Sequence, residues 1–194
     1  MTSHSSAAAL ARAVPRSKLT KLATLLFLGT VAAQASAQTI PGPANCSALV
    51  GLQVQFGTVV AAERFAKGAT IQGAGGLFGG DGTTTVLANF CRVKLQLKPT
   101  TSSLINVEAW LPETWNGKMF GYGGGGLSGG LGQSAALMNA SANNGYASAT
   151  SDLGHTTSTS AQWAQNQPER IIDWGHRANH VMAVAAKQLM NAFY

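Results

Sequence analysis

Acidic residues are scarce in this chain. Asp and Glu number seven in 194 residues, and none of them precedes Glu63. Thirteen Lys and Arg raise the formal charge to +6, but Arg12, Arg16, Lys18 and Lys21 all fall within the first 37 residues. The remainder carries nine cations against seven acids, a net charge of +2. The basicity therefore belongs mostly to the N-terminal stretch, which removes the support for a nucleic-acid or acidic-lipid partner. Charged residues make up only 10% of the chain while hydrophobic ones reach 45%. That balance excludes a disordered polyelectrolyte and provides for a buried core. Cysteine is limited to Cys46 and Cys91, which lack the C-x-x-C spacing that preorganises a zinc site. No apolar run after residue 37 approaches membrane-spanning length, and no internal repeat is visible.

The first 37 residues read as a secretory signal. The four cations form a positive n-region, Leu22 to Ala33 is an apolar h-region, and Ala35-Ser36-Ala37 before Gln38 is an A-x-A cleavage site. The alternative is a membrane anchor, but the apolar run is shorter than the roughly 20 residues a spanning helix needs and ends in small residues. The expected location is secreted or periplasmic, with no membrane association after cleavage. In such an oxidising compartment Cys46 and Cys91 most simply form one disulfide. The 45-residue loop it closes would stabilise the fold by roughly 3–4 kcal/mol.

What the chain has in excess is glycine, 23 residues against an average usage of about 7%, and these are clustered. The mature part divides into a β-rich region, residues 38–114, and an α/β region, residues 115–194. In the first, residues 51–60 alternate partly, while 91–98 alternate strictly, with Val93, Leu95 and Leu97 on one face. The intervening segment 73–82 is a glycine-rich loop. A further strand, 104–111, ends at Pro112. Polar outer faces on these strands suggest antiparallel pairing at the edge of a sheet. In the second region, 118–122 is a short strand running into Gly123–Gly126, and 133–140 is a helix ending near Asn143-Asn144-Gly145. Residues 146–151 form the next strand, with Asp152 at its end. A long helix spans 172–193, with Ala178, Val181, Met182, Ala185, Leu189 and Ala192 on its apolar face. Strand, helix, strand, helix is the pattern of a parallel βαβ sheet, so the fold class is α/β.

The run Gly123–Gly126 is the strongest local signal. Four residues without Cβ let the backbone turn sharply and bring its N–H groups close to a ligand, where they can stabilise a developing negative charge. The bland alternative is a flexible turn. Two patterns also match at this point. Gly121-Tyr-Gly-Gly-Gly-Gly126 fits G-x-G-x-x-G with Asp152 where a ribose-binding acid would stand, yet glycine-rich tracts match by chance and a secreted protein meets little NAD. Gly126-Leu-Ser128-Gly-Gly130 fits G-x-S-x-G, with Asp152 and His155 following in hydrolase order. An Asp and a His three residues apart on one loop are badly placed to serve as orienter and base of one triad, which come from separate strand ends. Asp152-Leu-Gly-His155 closes a strand where α/β enzymes place functional loops and could line a pocket, but Asp152 more simply caps its turn. His176 and His180 stand at i, i+4 on the last helix, but Arg177 occupies the place of a metalloprotease Glu and no third ligand is evident.

Taken in order, Phe90-Cys-Arg-Val93, Val107-Glu-Ala-Trp-Leu-Pro112, Trp115-Asn-Gly-Lys118, Gly123–Gly126, Gly145 to His155, Pro168-Glu169, Asp173 to Ala178 and Ala192-Phe-Tyr194 resemble the tannase and feruloyl esterase family of α/β-hydrolases. The resemblance extends from Cys46 to Tyr194. It implies hydrolysis of carboxylic esters of aromatic acids by Ser, Asp and His, with a large lid domain that often holds calcium. It also implies pairing of Cys46 with Cys91. One oxyanion-hole N–H of the family falls on Gly126, with Gly125 adjacent.

The family's nucleophile stands in a Gly-Cys-Ser-x-Gly-Gly elbow, and this sequence contains none, nor the later Asp, the His-Cys pair or the lid. No triad residue carries over to this chain. The expectation is therefore the N-terminal part of an α/β-hydrolase, incomplete and ending before the elbow strand, with the triad beyond Tyr194. It would be a serine carboxylic ester hydrolase by family, acting on a small aromatic ester when complete, and inactive as given. No cofactor or metal is expected in the chain itself, calcium belonging to the lid. The alternative is a non-catalytic secreted binding or structural module that keeps this N-terminal region.

Overall fold

The computed structural model describes residues 43–72, 82–156 and 160–194. The expected leader and most of the glycine-rich loop, 73–81, lie outside them. A 3-10 helix, Pro43–Leu49, precedes a hairpin of β1 (Gln53–Val54) and β2 (Gly57–Phe65). A short ladder follows, β3 (Thr70–Ile71) with β4 (Thr84–Thr85). Next come β5 (Phe90–Leu97), β6 (Ile105–Pro112) and β7 (Met119–Tyr122). The chain continues through α1 (Ala135–Asn143), β8 (Ala147–Ser151), α2 (Pro168–Ile172) and α3 (Ala178–Phe193).

Alternation decides β5. Val93, Leu95 and Leu97 are buried while Lys94 and Gln96 face solvent, as a period of two requires. The six-stranded sheet has the order β1-β2-β5-β6-β8-β7. Every pair is antiparallel except the last, in which Met119 to Tyr122 run parallel to Ala147 to Thr150. The expected βαβ unit is thus β7-α1-β8, joined to a sheet that is mostly antiparallel. The expected edge position of the alternating strands is corrected: β5 lies inside the sheet between β2 and β6, and the edges are β1 and β7. The segment 51–60 is not one strand, because the chain reverses at Gln55 and Phe56, the latter at φ 71°.

Two apolar layers flank the sheet. On one side α3 lays Ala178, Val181, Met182, Ala185, Ala186 and Leu189 over Val93, Leu95, Val107, Ala109, Ala147 and Ala149. Alanines on both surfaces let helix and sheet approach closely. On the other side Met138 and Ala142 of α1 cover Phe90 and Trp110, whose stacked rings are 4.3 Å apart. Glu108 on β6 is buried here. It accepts two hydrogen bonds from Arg92, at 2.7 and 2.9 Å, and one from the Trp110 indole at 2.7 Å. Paired and bonded in this way, a carboxylate can be taken out of water. Cys46 and Cys91 form a disulfide that ties the first 3-10 helix to β5.

The long helix differs from the expectation in two places. It starts at Pro168, a residue suited to the first helical turn, and passes through a π-helical stretch, Asp173–Arg177, before α3. The face also ends on Phe193 rather than Ala192, which is exposed. Asp173 sits fully buried in the π stretch, where the Ser103 hydroxyl donates to it at 2.6 Å and Arg177 lies 3.2 Å away.

Candidate functional site

The site is built where β7 ends beside β8. After Tyr122 the chain leaves the sheet as Gly123–Gly126. Gly124 is tightly flanked: a Cβ would stand 3.0 Å from Leu153 Cδ1 and 3.1 Å from Ser128 Cβ. Gly126 adopts φ 58°, a left-handed conformation that favours glycine. The Ser128 N–H donates to the Gly125 carbonyl at 3.1 Å, closing a turn, and the Ser128 hydroxyl donates to the same oxygen. Gly125 and Gly126 are exposed, and among the described residues neither N–H donates to a protein acceptor. Two such donors on an exposed turn can be offered to an anionic or carbonyl oxygen.

Opposite the turn, β8 delivers the loop Asp152–His155. Asp152 accepts the Asn106 backbone N–H at 3.0 Å, the Asn106 side-chain amide at 2.6 Å and the Gly154 N–H at 2.9 Å. Burial pushes its carboxyl above the ordinary 3.8. The hydrogen bonds from the Asn106 side chain, the Gly154 N–H and the Asn106 N–H oppose this, while the charge of Asp173 adds to it. Asp152 thus caps its turn. His155 stacks on Trp163, ring centroids 3.9 Å apart.

Ser128, Asp152 and His155 come into one neighbourhood, but the Ser128 hydroxyl is turned to Gly125 and the Asp152 carboxylate to Asn106 and Gly154. That is turn chemistry rather than a nucleophile and its orienter. The dinucleotide pattern has no matching frame either. The helix after the glycine run begins only at Ala135, and the acid is already engaged. His176 and His180 are exposed. Among the described residues no three His, Cys, Asp or Glu side chains gather as a metal site. Asn106 and the pair Trp163 and Trp174, whose rings are 5.8 Å apart, were not legible as site residues. Asn106 reads as an ordinary outward strand position, and Trp163 lies in a polar stretch without periodicity.

The model of the family described as tannase and feruloyl esterase matches residues 91–194, just over half of the chain. The chain belongs to the tannase and feruloyl esterase family. Among its relatives, a probable feruloyl esterase B-2 of Aspergillus flavus is 34% identical over 109 residues, 56% of this chain and 20% of that protein. An uncharacterized esterase of Xanthomonas campestris pv. campestris is 31% identical over 175 residues, 89% of this chain and 28% of that protein. The crystal structure of feruloyl esterase B from Aspergillus oryzae superimposes with a TM-score of 0.65 at 28% identity, over 74% of this chain and 28% of that one. A tannin acyl hydrolase from Aspergillus niger, 19% identical with a TM-score of 0.52, shares the fold. The chain therefore spans between a fifth and under a third of the length of these relatives.

Proposed function

We propose that this chain is the N-terminal portion of a serine carboxylic ester hydrolase acting on esters of aromatic acids, and that it hydrolyses no ester by itself. The observation that carries the reading is the Gly125–Gly126 turn, held at the end of β7 within the segment that the family model matches. In the complete enzyme the Gly126 N–H, with Gly125 beside it, would receive the oxygen of the ester carbonyl as it turns tetrahedral. A single preorganised donor of this kind can lower the barrier by roughly 3 kcal/mol. The attacking serine, its histidine base and the aspartate that orients the imidazole would come from outside these 194 residues. Family membership and the engaged state of Ser128 and Asp152 support this division. The Cys46–Cys91 disulfide supports folding in an oxidising compartment, secreted or periplasmic. Among the described residues no helix is long and apolar enough to cross a membrane.

The test is to read the coding DNA past codon 194 and express the longer product. A Gly-Cys-Ser-x-Gly-Gly frame, with hydrolysis of methyl ferulate or methyl gallate by that product, is expected. A secure stop followed by unrelated sequence would favour the stand-alone binding module instead.

A further inference from the structure

The glycine turn is gripped on both flanks by the loop that follows β8. At Gly129 the grip is tight: a Cβ there would stand 2.2 Å from the His155 carbonyl oxygen and 2.3 Å from His155 Nδ1. The same carbonyl accepts the Gly130 N–H at 3.1 Å. On the other flank Leu153 closes on Gly124. Between these two contacts a Cβ on Gly125 or Gly126 would find no atom within 4 Å, so no side chain packs there, and the turn is closed by the bonds of Ser128 to the Gly125 carbonyl. Those bonds fix the turn only as firmly as Ser128 is held, and its neighbour Gly129 is the residue that His155 grips.

The gripping loop is itself anchored. The Asp152 carboxylate holds the Gly154 N–H, the Asp152 carbonyl accepts the His155 N–H at 3.2 Å, and Asn106 fixes Asp152 from β6. Leu153, His155 and Trp163 are all buried. The His155 and Trp163 rings lie within 6° of parallel. A run of four glycines loses more conformational freedom on ordering than any other tetrapeptide, and hydrogen-bond donors stabilise an oxyanion only if they are fixed beforehand. The order has to be imposed from outside the run.

We propose that His155 is a positioning residue for the glycine turn: packed against both Trp163 and Gly129, its ring keeps Gly125 and Gly126 in one backbone conformation. Its consequence for catalysis rests on the oxyanion reading of these two glycines, but the bracing itself does not.

Backbone ¹⁵N relaxation on the glycine-labelled 194-residue chain tests it. In the unmodified protein the Gly125 and Gly126 order parameters should be near the rigid value of about 0.85. In His155→Ala they should fall below about 0.6, and His155→Phe, which keeps a flat ring, should restore them. Gly129→Ala would push a methyl group into both the His155 carbonyl and its ring and should reproduce the loss, which keeps the proposal testable if His155→Ala does not fold. Unchanged order parameters at Gly125 and Gly126 in a folded His155→Ala or Gly129→Ala protein would overturn the proposal. A titration with benzoate, a carboxylate probe for the two N–H groups, adds a functional readout. Its affinity should drop several-fold in His155→Ala and recover in His155→Phe. Loss of order without any benzoate binding to the unmodified chain would uphold the brace and reject the oxyanion reading.

Discussion

Asn106 and Asp152 hold each other at three points. The Asn106 N–H and side-chain amide donate to the two carboxylate oxygens, at 3.0 and 2.6 Å, and the Asn106 carbonyl accepts the Asp152 N–H at 2.9 Å. This clasp joins β6 to the end of β8 and sets the loop that faces the glycine turn. It explains how an acid in hydrolase order after a serine comes to serve structure.

Asp152→Ala should cost about 1–2 kcal/mol, because it strands half-buried donors of Asn106 and Gly154. Asp152→Asn should cost far less at neutral pH, since an amide oxygen can take the same N–H groups. Urea denaturation of the two variants checks this difference.

The same carboxylate fixes a pH dependence. Its folded pKa lies above the ordinary 3.8, so the folded chain binds the proton more tightly than the unfolded one. The contribution of Asp152 is therefore most favourable below about pH 4 and declines as pH rises from 3.8 through the raised value. The stability of Asp152→Asn relative to the parent should increase across that window, as measured by urea midpoints at successive pH values.

Glu108→Ala removes the partner of a largely buried Arg92 and of the Trp110 indole. The expected loss is about 2–4 kcal/mol, with a shift in Trp fluorescence. The double change Arg92→Met, Glu108→Leu should recover most of it, because no unpaired charge remains.

Reducing the Cys46–Cys91 disulfide, or replacing both cysteines by serine, should lower stability by roughly 3–4 kcal/mol. Denaturation with and without reductant measures it.

Strand β7 is an edge with Phe120 exposed, beside a groove of about 520 Å³ lined by Phe120, Tyr122, Leu137 and Tyr146. An open parallel edge with aromatic flanks invites association. The chain should bind a hydrophobic dye and self-associate with rising concentration, and Phe120→Lys should reduce both in light scattering.

Much of this arrangement was legible because it depends on local pattern. The alternation of Val93, Leu95 and Leu97 placed β5, and the Asn144-Gly145 stop placed the end of α1. Strand β8 gives a weaker signal, since all five of its small or polar residues are buried and its burial does not alternate. The π stretch at Asp173 has no such local pattern, and its buried acid bonds to Ser103, 70 residues away in the chain. The clasp of Asp152 by Asn106 bridges 46 residues, and no local signal announces a contact of that span.

We propose that the chain carries the glycine turn of its family and that the reactive serine is not Ser128. Purified protein assayed with p-nitrophenyl acetate and methyl ferulate tests it most directly. Hydrolysis indistinguishable from the buffer rate, unchanged by Ser128→Ala, is the predicted result. Turnover that Ser128→Ala abolishes would contradict the account.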